Sequence, residues 1–283
     1  APSARVIHVD KIREHIGLTF AVDKGIWGHA EDVLPRLLLA VSRAERPEWR
    51  RLVSEAREQL AGEVVHMRMD KRDPLKPGTV MAALGHALPP GAIVALDVGN
   101  HTFWFSRYHR AERYKLLLSG RWRTVGFALP AGIAAKLAHP DRPVVVVCGD
   151  GGFAMSMAEL ATAVQYKLPM VCVVLRDGRF GQEETLQKMT GAPRFGTRIH
   201  IADLAAYARA CGATGYRIET FEELTGALSD AFSKLADGQL SVLDVTVDRV
   251  EPRFARPHTA VGDAEAPDGK ERRNGQARSR SNG

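Results

Sequence analysis

Apolar residues along this chain follow two rhythms. Short unbroken runs at Ala92–Leu96, Val144–Cys148 and Val171–Leu175 lack the in-out alternation of a half-exposed strand. They predict strands buried on both faces of a parallel sheet covered by helices. Between them the apolar positions recur at helical spacing: in Thr79–Leu88, after Gly149 with Met157, Leu160, Ala161 and Val164 on one face, in Ile201–Ala213 and in Phe221–Ala236. Gly215–Glu219 reads as a further strand, and Ser241–Asp248 as the strand that closes the sheet. Strand and helix in alternation predict an α/β fold, a doubly wound parallel sheet. The aromatic stretch Phe103–Tyr108 reads as irregular, its rings belonging to the core and a subunit interface.

The first part of the chain has a different texture. Arg5–Asp10 reads as a short strand and Ala30–Ala44 as a helix with Pro35 near its start, where proline is tolerated. Residues 45–65 form a charged amphipathic helix. The stretch Met67–Gly78, dense in charge and proline, predicts a linker. The expected organisation is a segment 1–66, a linker 67–78, a sheet domain 79–253 and a disordered basic tail 254–283. The chain opens without methionine, and a strand appears within its first ten residues, so it is expected to begin partway through a larger fold.

Composition changes this picture little. With 283 residues, 45% hydrophobic and 25% charged, the chain has enough apolar material for a sizeable core. Part of the net charge of +6 sits in the Arg-, Gly- and Ser-rich tail, which reads as solvated rather than as a nucleic-acid site. The three cysteines, Cys148, Cys172 and Cys211, lie far apart without metal-type spacing and read as reduced core residues. No apolar run reaches membrane-spanning length, and no secretory signal opens the chain. The expectation is a soluble, cytoplasmic protein with no membrane partner.

The candidate chemistry lies where the strand Val144–Cys148 runs into Gly149-Asp150-Gly151-Gly152 and a helix. In open parallel sheets, ligands bind beyond the carboxyl ends of the strands, and free amides at a helix start attract phosphate. The turn does not have the GxGxxG spacing of a nicotinamide or flavin site, and a bare carboxylate there would repel phosphate. If Asp150 holds Mg²⁺ that bridges to phosphate oxygens, repulsion becomes coordination. The next strand ends just before Asp177, 27 positions on. A strand–helix–strand unit returns the chain parallel and adjacent, which brings Asp150 and Asp177 to one edge. Taken singly, each aspartate reads as the cap of a helix or turn.

The stretch Gly149–Gly181, "GDGGFAMSMAELATAVQYKLPMVCVVLRDGRFG", resembles the pyrophosphate-binding signature of thiamine-diphosphate enzymes. "ALDVGNHTFWFSR" and "SGRWRTVGFALPAGIAAKLAHPDRPVV" resemble the same superfamily, in the branch of acetolactate synthase and pyruvate oxidase. The resemblance runs over residues 3–247 and makes residues 1–66 the C-terminal part of a partial Rossmann-like central domain. It implies Mg²⁺ held by Asp150, Asp177 and the backbone carbonyl of Arg179. It also implies diphosphate against the amides of Gly151 and Gly152 with Gly181 nearby, Asn100 and His101 beside it, Val125 as the apolar wedge that bends the cofactor, and the carbonyl of Arg123 facing the aminopyrimidine. Asp177 and Arg176 replace the usual asparagines, and Arg176 is expected to balance the added charge.

The implied reaction is attack on the keto carbon of a 2-oxo acid such as pyruvate, with loss of carbon dioxide. The activating glutamate of the family's pyrimidine-binding domain has no counterpart in this sequence, so the catalytic residues stay unassigned. The expected partners are a homo-oligomer or a partner chain carrying the pyrimidine-binding domain. The alternative is a catalytically silent cofactor-binding or assembly module. FAD is the other cofactor that the resemblance allows; Ile12, where relatives often carry a second aspartate, counts against it. Glu183, Glu184 and Gln187 read as a surface helix face with a lesser claim on the substrate pocket, and His200 as surface.

Overall fold

In the computed structural model, which describes residues 4–109 and 114–250, the chain falls into two compact units, 4–45 and 46–250. The tail expected at 254–283 lies outside the described residues. In the first unit, strands β1 (Ile7–Asp10) and β2 (Lys24–Trp27) pair in parallel, Ile7 opposite Lys24, and are followed by helix α1 (Ala30–Ala40). The apolar pattern had not marked β2, whose four residues include a lysine and a glycine. Pro35 sits inside α1 rather than in its first turn.

The second unit begins with α2 (Pro47–Arg68) and α3 (Pro77–Ala87). The division at residues 45 and 46 differs from the linker expected at 67–78, and the physical reason is packing. The hydroxyl of Thr79 donates to the Met67 carbonyl at 3.1 Å, and Arg107 pairs with Glu63 at 2.6 Å. The charged stretch between the two helices is also pinned: Asp70, its side chain 8% exposed, is met by Arg72 and Lys76, each at 2.9 Å, which hold its carboxyl well below the usual range.

Then follow β3 (Ile93–Leu96), α4 (Asn100–Tyr108), β4 (Lys115–Leu118), α5 (Ala128–Ala138) and β5 (Val144–Gly149). After them come α6 (Asp150–Ser156), α7 (Glu159–Gln165), β6 (Val171–Arg176), α8 (Gly181–Thr190), α9 (Leu204–Ala210), β7 (Thr214–Ile218), α10 (Phe221–Ala236) and β8 (Ser241–Thr246). Six strands form one parallel sheet in the order β4-β3-β5-β6-β8-β7. The edge strands are therefore β4 and β7; β8, expected to close the sheet, lies between β6 and β7.

Alternate residues of the apolar strands feed two cores. Val94, Leu96, Val145, Val147, Val171, Val173 and Leu243 pack with α3, α4 and α10. Ile93, Ala95, Val144, Val146, Cys148, Cys172 and Val174 pack with α5, α6, α7 and α9 on the opposite face. This is why the strands show no polar alternation: neither face meets water.

Two local expectations change. The aromatic stretch is helical, α4, with Phe105 and Tyr108 in the core and Trp104 stacked on Tyr108 at 5.9 Å. The helix after Gly149 is divided into α6 and α7, and Ala163 rather than Ala161 is buried beside Leu160. Among the described residues, no helix is long and apolar enough to cross a membrane.

Candidate functional site

Strands β3, β5 and β6 are neighbours in the sheet, so the turns that follow them share one rim. Each turn passes directly from buried strand to helix. The rim thus combines amides at helix starts with side chains that the strand ends aim out of the core. A cleft of about 620 Å³, open mouth included, lies there. Its lining contains Asn100, His101, Val125, Asp150, Gly151, Gly152, Asp177, Arg179 and Gly181, nine of the ten residues expected. The tenth, Arg123, stands outside the lining, exposed, in a left-handed conformation at φ +49°.

The acidic pair meets through the backbone. Asp150 Oδ1 accepts from the Gly151 amide at 2.9 Å, and Oδ2 accepts from the Gly178 amide, next to Asp177, at 2.8 Å. Burial pushes the Asp150 carboxyl up to about 6, against the pull of these amides, and the neighbouring Asp177 adds to the rise. Asp177 is also raised, by burial first, although Arg179 opposes the shift.

The charge of Asp177 is balanced differently from expectation. Arg176 turns away to Asp244 on β8, its Nε donating at 2.8 Å. Arg179 takes its place: Nε donates to Asp177 at 3.0 Å and Nη1 to Glu184 at 2.9 Å. Glu184, read as surface, is buried and also meets Arg194 at 2.9 Å. Gln187 instead clamps the Phe195 backbone, donating from Nε2 at 2.9 Å, while Glu183 lines the cleft. His200 is exposed, as expected.

The donor set fits a magnesium diphosphate group. Asn100 Nδ2 and Oδ1, His101 Nε2 and Arg179 Nη2 are buried without a hydrogen-bond partner, and such atoms are costly unless a ligand engages them. Burial drives the His101 imidazole down to about 4, so at neutral pH it is uncharged. Backbone approaches side chain closely at glycines of the rim, Gly151 and Gly181 among them. A Cβ on Gly151 would lie 2.5 Å from the Phe180 ring, and one on Gly181 would lie 2.6 Å from Asn100 Nδ2. Among the described residues, no group of three or more His, Cys, Asp or Glu side chains is placed to hold a metal. Two carboxylates, a backbone carbonyl and ligand oxygens make a magnesium-type oxygen set without such a cluster.

Asp97 was missed. It follows β3, is 1% exposed, and accepts from Val98 at 2.7 Å and Gly126 at 3.0 Å. A carboxylate ending a buried strand was a readable signal, the same one that drew attention to Asp150. Its partner 29 positions away was not.

Residues 97–245 match the family described as "Thiamine pyrophosphate enzyme, C-terminal TPP binding domain". The chain is 31% identical over 261 residues to the acetolactate synthase isozyme 3 large subunit of Escherichia coli (strain K12), covering 88% of this chain and 45% of that protein. It is 31% identical over 270 residues to a sulfoacetaldehyde acetyltransferase of Rhodobacter capsulatus, covering 87% and 46%. It thus spans less than half the length of these relatives. Among solved structures, benzoylformate decarboxylase from Polynucleobacter necessarius shares the fold, with a TM-score of 0.69 at 20% identity, over 90% of this chain and 46% of that one. With the family match covering more than half of the chain and all ten of the expected site residues, this chain belongs to the thiamine pyrophosphate enzymes and carries their C-terminal cofactor-binding domain.

Proposed function

We propose that this chain binds the diphosphate end of thiamine diphosphate through Mg²⁺ and serves an enzyme that decarboxylates a 2-oxo acid such as pyruvate, passing the remaining fragment to an acceptor. The observation that carries the reading is the pairing of Asp150 with the Gly178 amide at 2.8 Å, which places two acidic turns side by side at the end of a parallel sheet. Thiamine diphosphate, when bound, supplies a carbon nucleophile and stabilises the carbanion left by decarboxylation.

Each group in the chain has a task in this reading. Asp150, Asp177 and the Arg179 carbonyl hold the metal. The amides of Gly151 and Gly152, with Asn100, His101 and Gly181 around them, receive the diphosphate. Val125 forms the apolar wall against the organic part of the cofactor, and the Arg123 carbonyl faces its aminopyrimidine. His101, uncharged at neutral pH, donates or accepts a hydrogen bond without adding charge. The activating glutamate belongs to a pyrimidine-binding domain, and a partner chain carrying one completes the site.

Isothermal titration of the chain with thiamine diphosphate, with and without Mg²⁺, tests the reading. Binding that requires Mg²⁺ is expected, as is carbon dioxide release from pyruvate once a chain with the pyrimidine-binding domain is added. Absence of binding under both conditions would refute it.

A further inference from the structure

The cleft wall at Val125 belongs to a loop that makes two unusual turns, with Arg123 at φ +49° and Gly126 at φ +86°. Left-handed backbone at a residue with a side chain is unfavourable, so such a loop holds its shape only when something over-determines it. Asp97 is placed to do so. One oxygen accepts from the Val98 and Gly126 amides at 2.7 and 3.0 Å, and the other lies 3.1 Å from the same Gly126 amide.

The anchor itself is fixed from three sides. The Asp97 amide donates to the Val147 carbonyl of β5 at 2.9 Å. The Asp97 carbonyl accepts from the Thr102 hydroxyl of α4 at 2.9 Å. Gly152 of α6 packs so close that a Cβ there would sit 2.7 Å from Asp97 Oδ2 and 3.5 Å from Val125 Cγ1. Asp97 does not line the cleft, whereas Val125, Asn100 and Gly152 do.

Resting on the thiamine diphosphate reading, we infer that Asp97 is a positioning residue: its buried carboxylate ties the Val125 loop to the helix starts at the rim, and so sets the wall that meets the organic half of the cofactor. A carboxylate suits the task because it only accepts, and every group facing it is a backbone donor. The competing reading is a plain cap for α5, which would affect stability without distinguishing ligands.

The test separates the two halves of the ligand by titrating the full chain, with Mg²⁺ present, against thiamine diphosphate and against inorganic pyrophosphate. The unaltered chain is expected to bind thiamine diphosphate the more tightly. Asp97→Asn turns an NH₂ toward backbone N–H groups, and it is expected to weaken thiamine diphosphate tenfold or more while pyrophosphate changes less than twofold. In a Val125→Ala background the same substitution should cost less than twofold, because residues acting as one unit are not additive. Gly126→Ala perturbs the tie from the loop side and should give the same split, which keeps the test open if Asp97→Asn does not fold. Equal losses for both ligands, no loss for either, or full additivity with Val125→Ala overturns the inference. Failure of the unaltered chain to bind either ligand refutes the cofactor reading itself.

Discussion

The carboxylate of Asp150 accepts a hydrogen bond from the Gly178 amide at 2.8 Å, and this contact joins the start of α6 to the turn after β6. Because β5 and β6 pair in parallel, with Gly149 opposite Leu175, the residues just beyond them emerge side by side. Two acidic turns are thus held at one rim by the sheet and not by any contact between their side chains. Burial raises Asp150, so at neutral pH its charge is an unfavourable feature of the ligand-free protein that a cation would offset.

Asp150→Asn is therefore expected to leave the ligand-free protein within about 1 kcal/mol of the unaltered chain, the lost amide contact being balanced by the removed buried charge. The rise in melting temperature on adding Mg²⁺ with thiamine diphosphate should disappear. Thermal melts with and without the two ligands read both effects. A ligand-induced rise that survives the substitution contradicts the metal role of Asp150.

Gly151→Ala should damage packing rather than charge. The added methyl would meet the Phe180 ring at 2.5 Å and Ile199 Cδ1 at 3.1 Å, between elements held by the Asp150 bond. Overpacking of this kind costs about 1–3 kcal/mol, read from urea denaturation midpoints at constant slope. A variant as stable as the unaltered chain would show that the turn yields freely.

Arg176→Ala strands a buried charge. Asp244 is 1% exposed on a central strand, and besides Arg176 it accepts from the Leu204 amide at 3.2 Å. Removing one partner of a buried pair is strongly destabilising, here about 3 kcal/mol, whereas replacing both members costs less than the sum of the single changes. Denaturation of Arg176→Ala, Asp244→Ala and the double variant checks this. Strict additivity would deny the coupling.

His101 predicts an acid limb. Its folded value, about 4, lies below the ordinary 6.5, so between those values the unfolded chain binds the extra proton and stability falls as pH is lowered. Asp150, raised from 3.8 to about 6, has the opposite slope over much of the same range. The prediction is therefore a difference: relative to His101→Gln, the unaltered chain loses roughly 3 kcal/mol more between pH 7 and pH 4. Chemical denaturation across that range, in chelator, measures it. Parallel pH profiles for the two proteins would exclude the imidazole as the cause.

Much of this molecule follows from local pattern. Unbroken apolar runs such as Val144–Cys148 admit only a strand covered on both faces, and a parallel strand–helix–strand unit leaves little freedom in where Asp150 and Asp177 emerge. Those rules act over tens of residues, so local pattern determined five of the six strands and the rim with Asp150 and Asp177, while the resemblance to thiamine-diphosphate enzymes supplied the other seven residues of the cleft, Asn100, His101, Val125, Gly151, Gly152, Arg179 and Gly181.

What it could not determine was which charge answers which, because that depends on side chains brought together from distant positions. Arg176 meets Asp244, 68 positions away, and leaves Asp177 to Arg179; Asp97 meets Gly126 across 29. The strand order placed β7 at the edge, and packing joined α2 to the sheet unit through Met67, where charge and proline had read as a linker. Ion pairs and caps are short-range forces between residues far apart in the chain, so only the completed tertiary structure selects their partners.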